Sequence, residues 1–196
     1  MDCYAHFPSL VYRVEKPDWV KQTLEATQKY YSNAQNNSPI AQTEQMANDP
    51  ALKFLGEYLS ASAYEILRQQ GYDMQKYEIY VAGLWGQDIT NQGGTNVHVH
   101  KNSQMCGWFF LETTEGGAYP IYQDTRMNKQ MVELDYVQGQ ELTNASSQVH
   151  FNDVVPGTIL LSNSWVPHQL VQNRVEAQAK ALHFTICHRE KLCSTY

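Results

Sequence analysis

The sequence has little of what would mark a membrane-spanning, disulfide-stapled or nucleic-acid-coating protein. No apolar run approaches the ~18 residues that a membrane-crossing helix needs. The opening residues, MDCYAHFPSLVYRV, have neither the basic start nor the unbroken apolar stretch of a secretory signal. The four cysteines, Cys3, Cys106, Cys187 and Cys193, are scattered and show no Cys-x-x-Cys spacing. They read as free thiols in a reducing compartment, not as a disulfide framework or a zinc–thiolate site. With 14 Lys and Arg against 20 Asp and Glu, the net charge of −6 offers no basic stripe for a phosphate backbone, which disfavours a nucleic-acid partner. A cytoplasmic location with no membrane association is the expectation. The oligomeric state is left open, a homodimer included.

What is present suits one domain spanning residues 1–196: the hydrophobic share is 42%, enough for a sizeable core, and no internal repeat divides the chain. Residues 1–71 read as a helical layer. Pro17-Asp18 opens a helix in which Val20, Leu24, Thr27 and Tyr31 recur at helical spacing. Ser32 to Asn48 reads as a surface loop. Asp49-Pro50 then starts a second helix, with the stripe Leu52, Leu55, Leu59, Ala63 and Ile66 and a stop at Gly71. From Tyr77 the period shortens. Strands are expected near 77–85, 96–100, 105–112, 118–123, 131–137, 147–152, 157–162, 168–172 and 179–188, separated by Gly- and Pro-containing turns. Many short strands imply a mainly β, α+β fold, a sandwich or closed barrel with the two helices packed on one sheet.

The chemistry concentrates in NVHVHKNS. His98 and His100 are two apart, so on a strand they project from one face and can reach one ion. His168, in SNSWVPHQL, follows another strand and supplies a third imidazole. Three convergent neutral imidazoles suit Fe, Zn, Cu or Ni. Two surface histidines on an edge strand would give the same spacing. His6, His150, His183 and His188 read as structural or surface residues, His183 being the least secure of these because it falls on a barrel strand. In KALHFTICH, Lys180 alternates with Leu182, Phe184 and Ile186. If that apolar set faces the core, the ammonium points inward and needs an anion; otherwise it lies at the strand's exposed start and reaches water.

At these residues the chain resembles the 2-oxoglutarate/Fe(II)-dependent oxygenases, and within them a small bacterial and phage branch with His-x-His in place of His-x-Asp. The resemblance rests on LWGQDITNQGGTNVHVHKNSQMCGWFFLETTEGGAYPIYQDTR and VPGTILLSNSWVPHQLVQNRVEAQAKALHFTI, and it covers about residues 77–188. It implies a double-stranded β-helix, or jelly-roll barrel, and a location in the host cytoplasm if the chain is phage-encoded. It implies that His98, His100 and His168 hold Fe(II). Lys180, with Arg174 as the alternative, would pair the far carboxylate of the cosubstrate 2-oxoglutarate, and Asn96 and Ser103 would hydrogen-bond to it. The implied reaction couples O2 and 2-oxoglutarate to hydroxylation of a C–H bond in a peptide side chain or small metabolite, releasing succinate and CO2. With no carboxylate in the triad, unless Asp124 supplies one, the site is more positive by one unit. A three-histidine cupin-type dioxygenase that does not use 2-oxoglutarate, a zinc hydrolase, and a non-catalytic jelly-roll binding protein are the rival readings.

Overall fold

The computed structural model describes residues 8–32, 39–132, 134–137 and 146–191. Cys3, His6, Cys193, part of the expected Ser32 to Asn48 loop and part of the expected 131–137 strand lie outside them. In chain order the elements are β1 (Val11–Glu15), α1 (Asp18–Tyr31), β2 (Ile40–Gln42), α2 (Lys53–Gln69), β3 (Tyr77–Ile89), β4 (Met105–Glu112), β5 (Pro120–Gln123), β6 (Gln148–His150), β7 (Thr158–Asn163), β8 (His168–Leu170) and β9 (Ala179–Glu190). The strands form two antiparallel sheets, ordered β1-β7-β4-β9-β3-β2 and β6-β5-β8. His98 extends the smaller sheet through an isolated bridge to His168.

Both faces of the larger sheet are covered. On its outer face, Leu84, Phe109, Leu182, Phe184 and Ile186 pack against Leu55, Leu59 and Ala63 of α2, with Leu24 and Tyr31 of α1 beside them. Leu55 and Leu59 each contribute ~1.5–3 kcal/mol by leaving water. On the inner face, Trp108, Phe110, Ala179 and Ala181 meet Tyr122 and Leu170 of the smaller sheet. Two facing sheets with helices outside one of them make a double-stranded β-helix.

The helix boundaries follow local chemistry. Pro17 holds the N-cap position of α1 and Asp18 its first turn, where a carboxylate favours the helix dipole. Asp49 Oδ1 accepts a hydrogen bond from Ala51 N at 2.9 Å, capping a short 3-10 turn that runs into α2. Its other oxygen takes Lys29 Nζ at 2.8 Å and Tyr30 Oη at 2.7 Å. Those contacts, the lysine first, lower its pKa from 3.8 to about 2. Asp49→Ala should therefore cost ~1–2 kcal/mol, read as a lower urea midpoint at pH 7. Because the folded-state value is the lower one, this contribution is complete above pH ~4 and fades as the pH falls through about 2. Gly71 ends α2 with φ +95°, a conformation that costs a side-chain-bearing residue energy.

Four expectations need correction. The first 71 residues are not wholly helical, since VYRVE forms edge strand β1 against β7. The Ser32 to Asn48 loop contains β2, paired to Gln87–Ile89. Consequently β3 continues through Gly86 to Ile89, where a turn was expected. Gly86 serves packing instead: a Cβ there would meet the Tyr31 ring at 2.6 Å. The described residues of 131–137 contain no strand, and a 3-10 helix ends at Met131.

Candidate metal centre

The backbone places the first two histidines opposite each other. His98 N donates to His168 O and His168 N donates to His98 O, each at 3.0 Å. Residues paired in this way project to the same face of a sheet. His100 N donates to Ser164 O at 3.0 Å, holding the next turn of the loop against the end of β7. Val97 and Val99, the alternate residues, are exposed, so the two-residue period puts both imidazoles inward. The ring centroids lie 5.0 Å apart for His98–His100, 4.6 Å for His98–His168 and 5.1 Å for His100–His168.

A fourth imidazole joins them. His183 comes from the middle of β9, in register with Trp85 of β3 and Trp108 of β4. Its centroid is 4.7 Å from that of His100. One ring nitrogen from each of His98, His100, His168 and His183 lies within 4.8 Å of the others. His168 and His183 are buried, and His98 and His100 half-buried, so the cluster opens on the His98–His100 side.

Two backbone carbonyls set the tautomers. Nδ1 of His98 lies 2.8 Å from Asn96 O, and Nδ1 of His168 lies 2.8 Å from Val166 O. A carbonyl only accepts, so in each ring Nδ1 carries the proton and Nε2 keeps its lone pair for a metal. Burial lowers the His100 and His168 pKa values to about 4, and lowers that of His183 well below its ordinary value. These three rings are therefore neutral at pH 7, the form that ligates metal. Nε2 of His100 and both ring nitrogens of His183 are buried without a hydrogen-bond partner. Orphaned buried acceptors converging on one point fit a divalent cation. Cys106 Sγ sits 3.9 Å from His168 Nε2, but burial pushes its pKa up to about 12, so it is a neutral thiol.

The walls are aromatic. Trp85 stacks on His183 at 4.5 Å. Trp108 meets His168 and His183 edge-on at 5.1 and 5.0 Å, and its Nε1 donates to buried Gln87 Oε1 at 3.0 Å. Tyr122 closes the side toward the smaller sheet, 5.9 Å from His168. Its hydroxyl is buried near Ser162, and Trp85 Nε1 is buried without a partner.

Sequence reasoning named His98, His100 and His168, and the structure brings these together. The other nominated residues lie elsewhere or touch the cluster only through backbone. Asn96 is exposed and reaches His98 through its carbonyl. Ser103 Oγ donates to Ser164 Oγ at 2.8 Å, beside the His100 loop. Arg174 is exposed in the segment after β8. Asp124 pairs with Arg126 and is not among the clustered ligands. Lys180 differs most from expectation. It shares the apolar face of β9, but that face packs on the helices and not inside the barrel. Its Nζ pairs with Glu112 at 2.8 Å and lies 5.9 Å from the Tyr31 ring centroid of α1. Among the described residues, no Lys or Arg is buried.

A family model described as "Putative 2OG-Fe(II) oxygenase" matches residues 83–184, more than half of the 196 residues. Curated protein sequences give no match. Solved structures do resemble the chain. A prolyl-4-hydroxylase from Pseudomonas putida gives a TM-score of 0.61 at 10% identity, covering 91% of this chain and 92% of that one. HygX from Streptomyces hygroscopicus, solved with nickel and 2-oxoglutarate bound, gives 0.56 at 10% identity over 92% and 83% of the two chains. A viral collagen prolyl hydroxylase from Paramecium Bursaria Chlorella virus-1, solved as a 2-oxoglutarate complex, gives 0.55 at 9% identity over 90% and 94%. At such identities the likeness concerns the fold.

Proposed function

The chain belongs to the 2-oxoglutarate/Fe(II) oxygenase family, and on that premise we propose that it hydroxylates a C–H bond of a small metabolite or peptide side chain at an iron held by His98, His100 and His168. The observation that supports this assignment is the convergence of these ring nitrogens within 4.8 Å. Fe(II) and 2-oxoglutarate are the cofactors of the family. When bound they supply the oxidant for the C–H bond, with 2-oxoglutarate and O2 converted to succinate and CO2 as the substrate gains a hydroxyl. Everything else falls to the protein. The Asn96 and Val166 carbonyls hold two imidazoles in the ligating tautomer. Trp85, Trp108 and Tyr122 wall off water. The half-buried His98–His100 side is the approach for substrate.

The far carboxylate of 2-oxoglutarate needs a donor inside the barrel, and Lys180 lies on the other face of β9. We assign that contact to the buried Tyr122 hydroxyl, with the unpartnered indole N–H of Trp85 as the other donor. Burial raises the Tyr122 pKa well above its ordinary value, so the phenol keeps its proton and donates. A hydrogen bond to a charged group is worth ~1.5–3 kcal/mol, so Tyr122→Phe should weaken 2-oxoglutarate binding roughly ten- to hundredfold without changing metal affinity. Lys180→Ala should leave both affinities as they are. The reverse pattern in calorimetric titrations would return the role to Lys180. The family reaction itself is tested by loading the protein with Fe(II) without oxygen, then adding 2-oxoglutarate and air and measuring succinate. A protein that retains iron yet releases no succinate with any peptide or metabolite offered would overturn the hydroxylase reading.

A further inference from the structure

His183 is the member of the cluster that the three-ligand site does not use. It is 1% exposed, and neither of its ring nitrogens has a hydrogen-bond partner. A neutral imidazole has one N–H to donate and one lone pair to satisfy. Leaving a buried polar group bare costs ~1–3 kcal/mol. Hydrophobic packing alone does not account for a histidine here, because the position between Trp85 and Trp108 would suit a phenyl ring without that cost. The other fully buried ring, His168, is tethered through Nδ1 to a backbone carbonyl, whereas nothing polar among the described residues restrains His183. One of its ring nitrogens nevertheless lies within 4.8 Å of ligand atoms on all three partners.

Building on the reading that His98, His100 and His168 hold a divalent ion, we propose that His183 is a fourth protein ligand of that ion. The Trp85 ring stacks on the imidazole and the Trp108 ring meets it edge-on, and neither hydrogen-bonds to it. An octahedral ion bound by three residues keeps three positions free; one bound by four keeps two. A chelating keto acid fills two. Bound to such an ion, His183 would occupy the position that a further ligand needs, so the chelated centre would open only on its release. No hydrogen bond tethers the His183 ring, which would let it leave such an ion.

The probe is Ni(II), which binds imidazole without redox side reactions. X-ray absorption on the Ni(II) protein counts imidazoles, and calorimetry gives affinity. The wild-type protein should show four imidazoles. His183→Phe, which keeps a ring between the two indoles, should show three. Its affinity should fall by more than the ~10–100-fold that loss of an outer hydrogen-bond partner of a ligand costs. A purely structural role would lower affinity and leave the count unchanged. Three imidazoles in the wild type, or an equal count in the variant, overturns the proposal. If His183→Phe does not fold, the wild-type count decides alone. His98→Ala separates the two levels of the argument. Binding lost there with an unchanged count in His183→Phe removes only the fourth ligand. A wild-type protein that retains no Ni(II) removes the whole site.

Discussion

His168→Ala should leave a folded protein that no longer retains a divalent metal and no longer turns over 2-oxoglutarate. His168 is wholly buried, its Nδ1 is committed to Val166 O, and its backbone forms both hydrogen bonds to His98. An alanine keeps the backbone pair and removes only the imidazole. Changing a residue that merely orients a ligand costs ~10–100-fold in affinity, so loss of a ligand should exceed that and bring turnover to background. Metal analysis after dialysis, with far-UV circular dichroism to verify the fold, checks it. Full metal occupancy in the variant would show that His168 is not a ligand.

Gly107→Ala should be the most destabilising single methyl addition in the larger sheet. Gly107 lies in β4 between β7 and β9, opposite Leu161 and Phe184. A Cβ there would overlap the Leu160 carbonyl and come within 2.8 Å of the Phe184 ring. A backbone carbonyl inside a sheet ladder cannot step aside as a side-chain tip can. Overpacking costs ~1–3 kcal/mol, occasionally more, and the strain would fall on the neighbours Cys106 and Trp108, which line the metal site. Loss of the soluble folded form, or a fall of many degrees in the thermal midpoint, is the expected result. A midpoint equal to the parent's would mean that β4 and β7 separate easily, contrary to their tight register.

The histidine pair at 98 and 100 was legible because it announces itself by spacing, and the strand β4 because seven successive buried residues leave little room for another reading. The failure at Lys180 has a definite cause. Alternation along β9 separates Lys180, Leu182, Phe184 and Ile186 from Ala179, Ala181 and His183. It does not say which set faces the barrel, because α1 and α2 bury the outer face as well. The larger apolar residues cover the helix side, where bulk is needed. The small ones face the interior, where Trp108, Phe110, Tyr122 and Leu170 already fill the space beside the imidazoles. Two alanines alternating with a histidine were therefore the signal for an inward His183, and the bulk of the neighbouring set drew attention away from it. β1 escaped notice for a simpler reason: VYRVE is short, and the exposed Arg13 pairs with both Glu15 and Asp153. Tyr122 carried no sequence signal, since its role depends on a face-to-face approach of two sheets.

The sequence has four tryptophans, and two of them, Trp85 and Trp108, lie directly against the clustered imidazoles. The centre is thus wired to an optical reporter of its own. A paramagnetic ion seated among those rings would quench indole emission at contact range, while Trp19, packed between Phe54 and Tyr58 on the helical layer, would keep shining as an internal standard. Metal entry can then be followed in real time by light alone, without a label and without knowing what the enzyme acts on.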